Sequence, residues 1–413
     1  MTQSKSITLS AIYRIVTPMF CSGADREIAE LRLSSFKGAL RFWWRSLMWE
    51  ELHQTPKSHE KLRDLEANIF GSSDQEFGQS CVRMRIAEKS LASQVEIGEV
   101  FEKGTLRGSH YLGYGVMEAF VSKPKNTRAG ELTRPMIPSG EFTVELRISR
   151  RLGEQQVEQV KRALILLGTV GGLGSKSRKG FGSLSLVSLK QDQLALELSD
   201  SVEDRLRLCQ IKRMSGLSSW TAWNRQSRIV TLESDAINAN DLLNSVGREI
   251  VFFRSWGREG KVLDEDREGN FKDDHDLSKD KSVSIKFPAR SVFGLPHIYG
   301  KGKSTDPAKH ERRASPLFIH VHQVRESSEP KCILVFLPSQ FLPEGERLNV
   351  FRNDVPISTC DELWYPIHAF LDRLICDGRK KPGGRVGYEK FPTESTWWKK
   401  NNSRLIGTEV QIG

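Results

Sequence analysis

The sequence predicts an α+β protein built from two tandem ferredoxin-like domains with loop insertions, and three observations support this. Strand and helix patterns in the first half follow the order β–α–β–β–α–β, which is the ferredoxin-like plan. A helix followed by a loop rich in glycine and cations occurs at 154–182 and again at 361–391, which is a weak internal repeat. A polar stretch at 190–215 separates the two halves. We therefore expect domains at 1–195 and 196–413.

The elements of the first half follow from the spacing of apolar residues. Strands alternate apolar and polar residues or are rich in β-branched residues, whereas helices repeat apolar residues every three to four positions. The predicted strands lie at 7–16, at 81–87, at 141–149 and around Leu184 and Leu186. The predicted helices lie at 36–52 and 154–168.

The second half shows a weaker version of the same pattern. Strands are predicted at 317–324 and 331–337, and an amphipathic helix at 361–376 precedes the glycine- and cation-rich segment 377–391. Residues 257–283 mix opposite charges densely and contain few apolar side chains, including an acidic run at 264–280. This composition predicts an exposed or partly disordered insertion.

Composition limits the classes of function. The chain has 413 residues, of which 38% are hydrophobic and 28% charged, with a net charge of +10, as expected for a globular protein with a polyanionic partner. The six cysteines are scattered and form no CxxC pair, which disfavours a zinc cluster or a disulfide framework. No apolar stretch approaches about 18 residues. We expect a cytoplasmic protein with no membrane partner and no cofactor.

The segment 31–45, LRLSSFKGALRFWWR, carries a row of cations beside two indoles. On a helix, Lys37, Arg41 and Arg45 fall within a stripe about 80° wide, and Trp44 lies at its border. Cations neutralise phosphates and an indole can stack on a base, so this pattern favours single-stranded nucleic acid. The alternative is an ordinary amphipathic helix with core tryptophans and solvated cations. The helical wheel predicts that Trp44 is more exposed than Trp43.

The segment GGLGSKSRKGFG at 171–182 combines five glycines with three cations. It lacks the GK[ST] of a Walker A loop, and it follows a helix and precedes a strand, the reverse of a dinucleotide-binding fingerprint. A glycine-rich backbone can lie against a sugar–phosphate chain while cations supply counter-charge. The alternative is a surface hinge. In either case the composition predicts a loop that is mobile in the free protein.

Five segments of the sequence carry a resemblance to a known family. The chain resembles the RAMP superfamily of CRISPR–Cas proteins, in particular the large double-RAMP subunit of type III-B Cmr effector complexes. These segments are RIVTPMFCSGADREIAELRLSSFKGALRFWWRSL at 14–47, IFGSS at 69–73, GGLGSKSRKGFGSL at 171–184, ASPLFIHVHQV at 314–324 and LPSQFLP at 337–343. The match covers most of residues 10–190 and is thin beyond them.

The resemblance implies two RRM-like ferredoxin domains and a role without catalysis. It implies binding of guide RNA and target RNA near the 3′ end of the guide, next to other RAMP subunits of the Cmr complex. The implied RNA-binding residues, together with Lys179 from the same loop, are Lys37, Arg41, Trp43, Trp44, Arg45, Gly171, Gly172, Gly174, Lys176, Arg178, Gly180 and Gly182.

Other residues allow a competing interpretation, a RAMP-type endoribonuclease that cleaves guide precursor or target RNA. Asp25, in the loop after the first strand, is a candidate for metal-assisted cleavage, and His53 or His59 is a candidate general base. His320 and His322 share one strand face, as two metal ligands would. No further ligand type lies nearby at the usual spacing, so structural imidazoles are the favoured interpretation of this pair. A pure scaffold is the third alternative.

Overall fold

The computed structural model describes residues 6–55, 57–73, 76–101, 108–121, 124, 126–257, 259–375 and 405–412. Its helices are α1 (Leu33–Leu52), α2 (Ser58–Phe70), α3 (Gly108–Leu112), α4 (Glu154–Val170), α5 (Val202–Leu208), α6 (Ala239–Arg254), α7 (Lys272–Ser278) and α8 (Tyr365–Ile375). Short 3-10 helices lie at Ala289–Phe293, Gly300–Gly302 and Asp361–Trp364.

The strands form three larger sheets and one short hairpin. The strands in chain order are β1 (Ser6–Ile15), β2 (Val82–Leu91), β3 (Gly140–Ser149), β4 (Leu184–Gln191), β5 (Leu194–Ala195), β6 (Arg228–Glu233), β7 (Lys261–Val262), β8 (Glu265–Asp266), β9 (His297–Ile298), β10 (Ser304–Pro307), β11 (Leu317–His322), β12 (Lys331–Phe336), β13 (Arg347–Val350), β14 (Asn353–Pro356) and β15 (Ile406–Val410).

The first sheet has the ferredoxin-like arrangement that the sequence predicts. Its antiparallel strands lie in the order β2-β3-β1-β4-β5. Along the chain, α1 lies between β1 and β2, and α4 lies between β3 and β4. Alternate residues of β1 point into the core, including Leu9, Ala11 and Tyr13. The hydroxyl of Tyr13 donates to the carbonyl of Leu164 on α4 at 2.9 Å, which ties the helix layer to the sheet.

The second sheet repeats this plan. Strands β11-β12-β6-β15 lie side by side and antiparallel, and their chain order with α6 and α8 is again β–α–β–β–α–β. The predicted fold class, α+β with two tandem ferredoxin-like domains and loop insertions, is confirmed. The sheet β14-β13-β10-β9 and the hairpin β7-β8 belong to the insertions. The domain boundary at residue 195 stays a prediction.

The charged insertion at 257–283 is more ordered than its composition predicts. It contains the hairpin β7-β8 and the helix α7. Asp274 is buried and accepts hydrogen bonds from the backbone and side chain of Arg290, at 2.9 and 3.1 Å. Glu268 pairs with the buried Arg373 of α8 at 2.6 Å. The prediction of an exposed loop was wrong because these carboxylates are counter-ions for arginines of the second domain, of which Arg373 is buried.

Two other sequence expectations need comment. The structure adds α2 and, in the second half, β6, α6 and β15, none of which the sequence patterns predict. It divides the expected helix at 361–376 into a 3-10 turn and α8. The glycine-rich segment 377–391 lies outside the described residues. Within the described ranges, the structure contains no helix that is both long and apolar enough to cross a membrane.

The two sheets meet along one edge of the second sheet. Strand β11 is an edge strand, and the first domain satisfies its outward amides in place of another strand. Ile319 donates to the carbonyl of Arg178 (3.1 Å), Val321 to Oγ of Ser183 (3.0 Å) and Gln323 to Oγ of Ser185 (2.9 Å). The loop 171–182 and the start of β4 therefore form the joint between the domains.

Candidate nucleic-acid interface

The cations of α1 lie in the register that the sequence predicts, but they face another helix. We call Lys37, Arg41 and Arg45 the α1 row. The Nζ of Lys37 donates to the carbonyl of Phe70 at 2.7 Å, and Arg41 and Arg45 each lie 2.6 Å from Oε1 of Glu66. Burial, with a contribution from Arg41, lowers the pKa of Lys37. The α1 row therefore holds α2 against α1.

The two indoles of α1 are both core residues. Trp44 is fully buried and Trp43 is 3% exposed, so the prediction that Trp44 is the more exposed indole was wrong. The physical reason is α2, which covers the stripe that the helical wheel assigns to solvent. Trp44 packs against Phe70 of α2 with ring centroids 5.9 Å apart. Trp43 packs against Phe318 of the second domain at 5.6 Å.

The loop 171–182 is a packed element. The amide of Leu173 donates to the carbonyl of Gly182 at 2.9 Å, and the amide of Gly182 donates to the carbonyl of Pro18 at 2.8 Å. The amide of Ser175 donates to the carbonyl of Phe20, also at 2.8 Å. The open, mobile loop that the glycine content predicts is not what the structure shows, because these backbone bonds fix the segment against the end of β1.

The glycines of this loop permit close approach. A Cβ on Gly171 would come within 2.5 Å of the indole nitrogen of Trp43. Gly180 has a φ of 87°, which favours glycine, and a side chain there would collide with Leu243 and Ile319 of the second domain. The remaining loop glycines of the predicted site, each against neighbouring backbone, are Gly172, Gly174 and Gly182.

The three cations of the loop have different environments. Arg178 donates to the carbonyl of Ser315 at 3.0 Å and lies 4.5 Å from the ring of Phe318, and burial lowers its pKa to about 10. Lys179 is half-buried, and desolvation together with nearby Arg254 lowers its pKa to about 7. Lys176 is half-buried without an ion pair among the described residues. Arg178 is therefore structural, whereas Lys176 is available to an anion.

A cavity of about 460 Å³ opens beside this loop. The backbone from Gly172 to Ser175 lines one side, the start of α1 lines another, and the exposed Arg26 and Arg134 face it. Lys176 lies between Ser175 and Ser177, which line the cavity, although its own side chain does not. Desolvation, then Arg312 and Arg134, lower the pKa of Lys176. We call Arg26 and Arg134, which line the cavity, together with Lys176 and Arg312 beside it, the basic cleft. In the part of the chain that the structure describes, none of the four has an ion pair.

Three of these four cations were absent from the sequence prediction. Arg26 follows the candidate Asp25 directly, Arg134 lies in a loop before β3, and Arg312 precedes β11. They come from segments more than 100 residues apart, and no periodicity connects them. The net charge of +10 is the only sequence signal that such a cluster exists.

The strands of the two ferredoxin-like sheets offer no exposed aromatic ring for base stacking. RRM domains stack bases on aromatic residues of the outer sheet surface. The aromatic residues on these strands, as far as the structure describes them, are Tyr13, Phe142, Phe318 and Phe336, and all four are buried. The domains therefore share the RRM topology without its stacking surface, which leaves the basic cleft as the candidate interface.

The residues of the competing nuclease interpretation have structural contacts. The Oδ1 of Asp25 accepts from the amide of Glu27 at 2.8 Å, which closes a local turn. The Nδ1 of His53 lies 2.6 Å from the carbonyl of Glu50. Among the described residues, neither side chain has a second catalytic group as a hydrogen-bond partner. Across the described ranges, no group of three histidine, cysteine or acidic residues is arranged to hold a metal ion.

His320 and His322 lie between the two domains, away from solvent. They are 1% and 3% exposed. Burial lowers the pKa of His320 to about 3, so this ring is neutral at physiological pH. The Oγ of Ser185 lies 3.3 Å from Nδ1 of His322. These contacts fit the favoured interpretation of the pair as structural imidazoles.

Comparison with known proteins shows which family and which CRISPR subunits this chain is similar to. Residues 13–185 match the model of the RAMP superfamily. The Cmr subunit Cmr1-1 of the Pyrococcus furiosus CRISPR system is 25% identical over 190 residues, which is 46% of this chain and 48% of that protein. Subunit Cmr1-2 of the same organism is 24% identical over 188 residues, 43% of this chain and 93% of that protein. The chain thus spans about half the length of Cmr1-1.

Solved structures include similar chains. The crystal structure of apo Cmr1 from Pyrococcus furiosus is 19% identical and covers 88% of this chain and 96% of that chain, with a TM-score of 0.48. A chain of the type III-B Cmr-beta complex bound to cognate target RNA is 14% identical and covers 88% of this chain and 100% of that chain, with a TM-score of 0.43. The resemblance to the RAMP superfamily and its large Cmr subunit is confirmed by the family match and the curated relatives.

Proposed function

We propose that this chain is a non-catalytic RNA-binding subunit of a type III-B Cmr effector complex in antiviral defence. It contacts guide RNA and target RNA near the 3′ end of the guide and works in the cytoplasm beside other RAMP subunits. The observation that carries the proposal is the basic cleft, whose four cations have no ion pair among the described residues. The names of the relatives, both Cmr subunits, supply the complex.

The chemistry of the basic cleft suits a phosphate backbone. Cations without a protein counter-ion can bind phosphates and release condensed counter-ions from the nucleic acid, which makes binding favourable and sensitive to salt. The cleft is lined by backbone and small side chains, including Ser35 and Ala39 of α1, so a sugar–phosphate chain can approach closely. Phosphate contacts carry no sequence information, so sequence would be read by pairing between guide and target.

The RNA-binding part of the proposal is tested by neutralising the cleft. A variant with Arg26, Arg134, Lys176 and Arg312 all changed to alanine is compared with wild type by filter binding of a single-stranded RNA at several salt concentrations. The slope of log K against log salt should fall by about 0.7 for each phosphate that the variant no longer neutralises, or about 2 to 3 in all.

The matched control removes the same charge from scattered surface positions. Lys61, Lys89, Lys190 and Lys279 are exposed, and within the described residues none forms an ion pair or lines a cavity with other cations. Their fourfold alanine variant should keep nearly the wild-type slope. Equal reductions of the slope in the two variants would show that only net charge matters and would refute the cleft as the interface.

The non-catalytic part is tested separately. Wild-type protein and an Asp25→Ala, His53→Ala double variant are incubated, within the assembled complex, with guide-bound target RNA. We expect identical cleavage patterns, because the described contacts of both side chains are local backbone contacts. Cleavage that disappears in the variant while binding persists would establish the endoribonuclease alternative.

A further inference from the structure

A second cavity, of about 520 Å³, lies further along the same helix face. On α1, Ser35 and Ala39 line the basic cleft, and Phe42 lines this second cavity. Positions i, i+4 and i+7 lie on one face of a helix, and seven residues advance about 10 Å. A strand that leaves the basic cleft along α1 therefore reaches this cavity next.

Aromatic rings form the walls of the second cavity. Phe42 lies on α1, His59 at the start of α2, and Trp220 in the segment before β6. The rings of His59 and Trp220 are 4.8 Å apart and nearly perpendicular, and Trp220 also packs on the buried Trp49 at 4.8 Å. Because the buried Trp49 fixes Trp220, the rings are arranged before any ligand arrives, which reduces the entropy cost of stacking.

A buried carboxylate supplies a hydrogen-bond acceptor in the same cavity. Glu66 lines it and is 7% exposed. Its Oε1 accepts from both Arg41 and Arg45, whereas its Oε2 has no hydrogen bond within the described residues. An ionised carboxylate has about four acceptor positions, so Oε2 can still accept from an N–H group. The two arginines hold Oε1 and so fix the orientation of the carboxylate.

Cations stand at the mouth of the cavity. Arg45 and Arg63 both line it, and their side chains are 33% and 66% exposed. Arg63 pairs with its exposed neighbour Asp64 at 3.1 Å, a contact worth little in water. The cavity thus presents rings, one inner acceptor and the exposed Arg63, which complement the base, the N–H edge and the phosphate of a nucleotide.

We propose that this second cavity is a nucleobase pocket that takes one unstacked base bearing an amino group. The inference rests on the proposed RNA-binding function in one respect, that the base belongs to the strand held in the basic cleft. A free nucleotide presents the same chemistry, and the test separates the two sources. Adenine, cytosine and guanine offer an amino group to Glu66, whereas uracil flanks its single N–H with two carbonyls that the carboxylate repels.

The test compares an adenine-rich single-stranded RNA with an oligonucleotide of the same length and backbone that lacks bases. Wild-type protein should bind the first at least about 5-fold more tightly, the equivalent of one stacked base. His59→Ala and Trp220→Ala should each remove most of that difference while keeping the salt dependence that the basic cleft supplies. His59 is exposed, so its variant should fold even if Trp220→Ala does not.

Arg63 and Lys61 give a matched pair on α2, since both are exposed cations and Arg63 lines the cavity whereas Lys61 does not. Arg63→Ala should weaken binding of the base-containing RNA more than Lys61→Ala does. Equal binding of the two oligonucleotides by wild-type protein, or equal weakening by Arg63→Ala and Lys61→Ala, would overturn the pocket.

Mononucleotides separate failure of the pocket from failure of the proposed function. If wild-type protein binds no RNA, calorimetry with adenosine and uridine monophosphates still tests the cavity alone. Binding of the adenosine nucleotide that His59→Ala abolishes would support a pocket for free nucleotide, while the RNA-binding proposal falls. Without RNA binding, the absence of nucleotide binding would refute the pocket as well.

Discussion

The α1 row and the basic cleft contain similar residues and have opposite environments. Each cation of the α1 row has a protein partner, either Glu66 or the carbonyl of Phe70. The cations of the basic cleft have no ion pair within the described residues, although they come from segments far apart in the chain. The comparison teaches that register and charge identify a cationic stripe, whereas the presence of a counter-ion decides whether it stabilises the fold or binds a ligand.

The largest expected effect is a loss of stability when a tryptophan of α1 is removed. Trp44→Ala removes a fully buried indole from the contact between α1 and α2, so it should lower the free energy of unfolding by roughly 3–5 kcal/mol. Trp43→Ala should cost about as much, because Trp43 is also buried. Chemical denaturation gives both values. A stable Trp44→Ala protein with weakened RNA affinity would show that Trp44 belongs to the RNA interface and not to the core.

A smaller effect separates two cations of one loop. Arg178→Ala removes a hydrogen bond to Ser315 and a contact with the ring of Phe318, and should lower the free energy of unfolding by about 2 kcal/mol. Lys176→Ala should change stability by no more than about 0.5 kcal/mol and weaken RNA binding. Thermal melts and RNA titrations of the two variants measure this contrast. Equal melting temperatures would show that Arg178 is not structural.

A further expected effect is a pH dependence of stability that originates at Lys179. Its pKa is lowered from 10.5 to about 7 in the folded chain, by desolvation and by Arg254, Lys176 and Arg178. Between these two values the unfolded chain binds a proton that the folded chain lacks, so this residue makes stability rise with pH over that window. Below about pH 7 the folded protein must carry the charge of this half-buried lysine.

The variant Lys179→Met removes this group and its pH dependence. It should raise the melting temperature more at about pH 7 than at about pH 9.5, since the penalty of the partly desolvated charge is larger at the lower pH. The nearby His297 has its pKa lowered well below its usual value, so it titrates outside this window. Lys190→Met, on an exposed position of β4, is the control and should shift both melting temperatures equally.

The sequence predicted the topology of the first domain well because local patterns encode it. Alternation in β1 and β3 and helical spacing in α4 placed most elements of the first domain within a few residues. The exposure of Trp44 was mispredicted because a helical wheel describes a single helix. It therefore does not show that α2 covers the face of α1 on which Trp44 lies. The insertion at 257–283 was mispredicted because its carboxylates pair with arginines that are distant in sequence.

The candidate site was only partly predictable for the same reason. The glycine loop was identified and Lys176 with it, since both are contiguous in sequence. Arg26, Arg134 and Arg312 come together only when the first sheet, its loops and the second domain have assembled. Arg178 belongs to the same motif as Lys176, yet Ser315 and Phe318 of the second domain bury it. Composition cannot distinguish these two outcomes.

The covered edge of β11 has a consequence for expressing parts of this chain. Strand β11, LFIHVH, is buried along its whole length, and the first domain satisfies its alternate outward amides. A fragment that begins after residue 195 would leave this apolar edge open, and open edges of this kind pair with other chains. Such a fragment should aggregate, with the β11 segment as the nucleus, unless a charged residue replaces His320 or His322, which lie between the two domains. The loop 171–182 therefore also prevents self-association of the chain through the edge of β11.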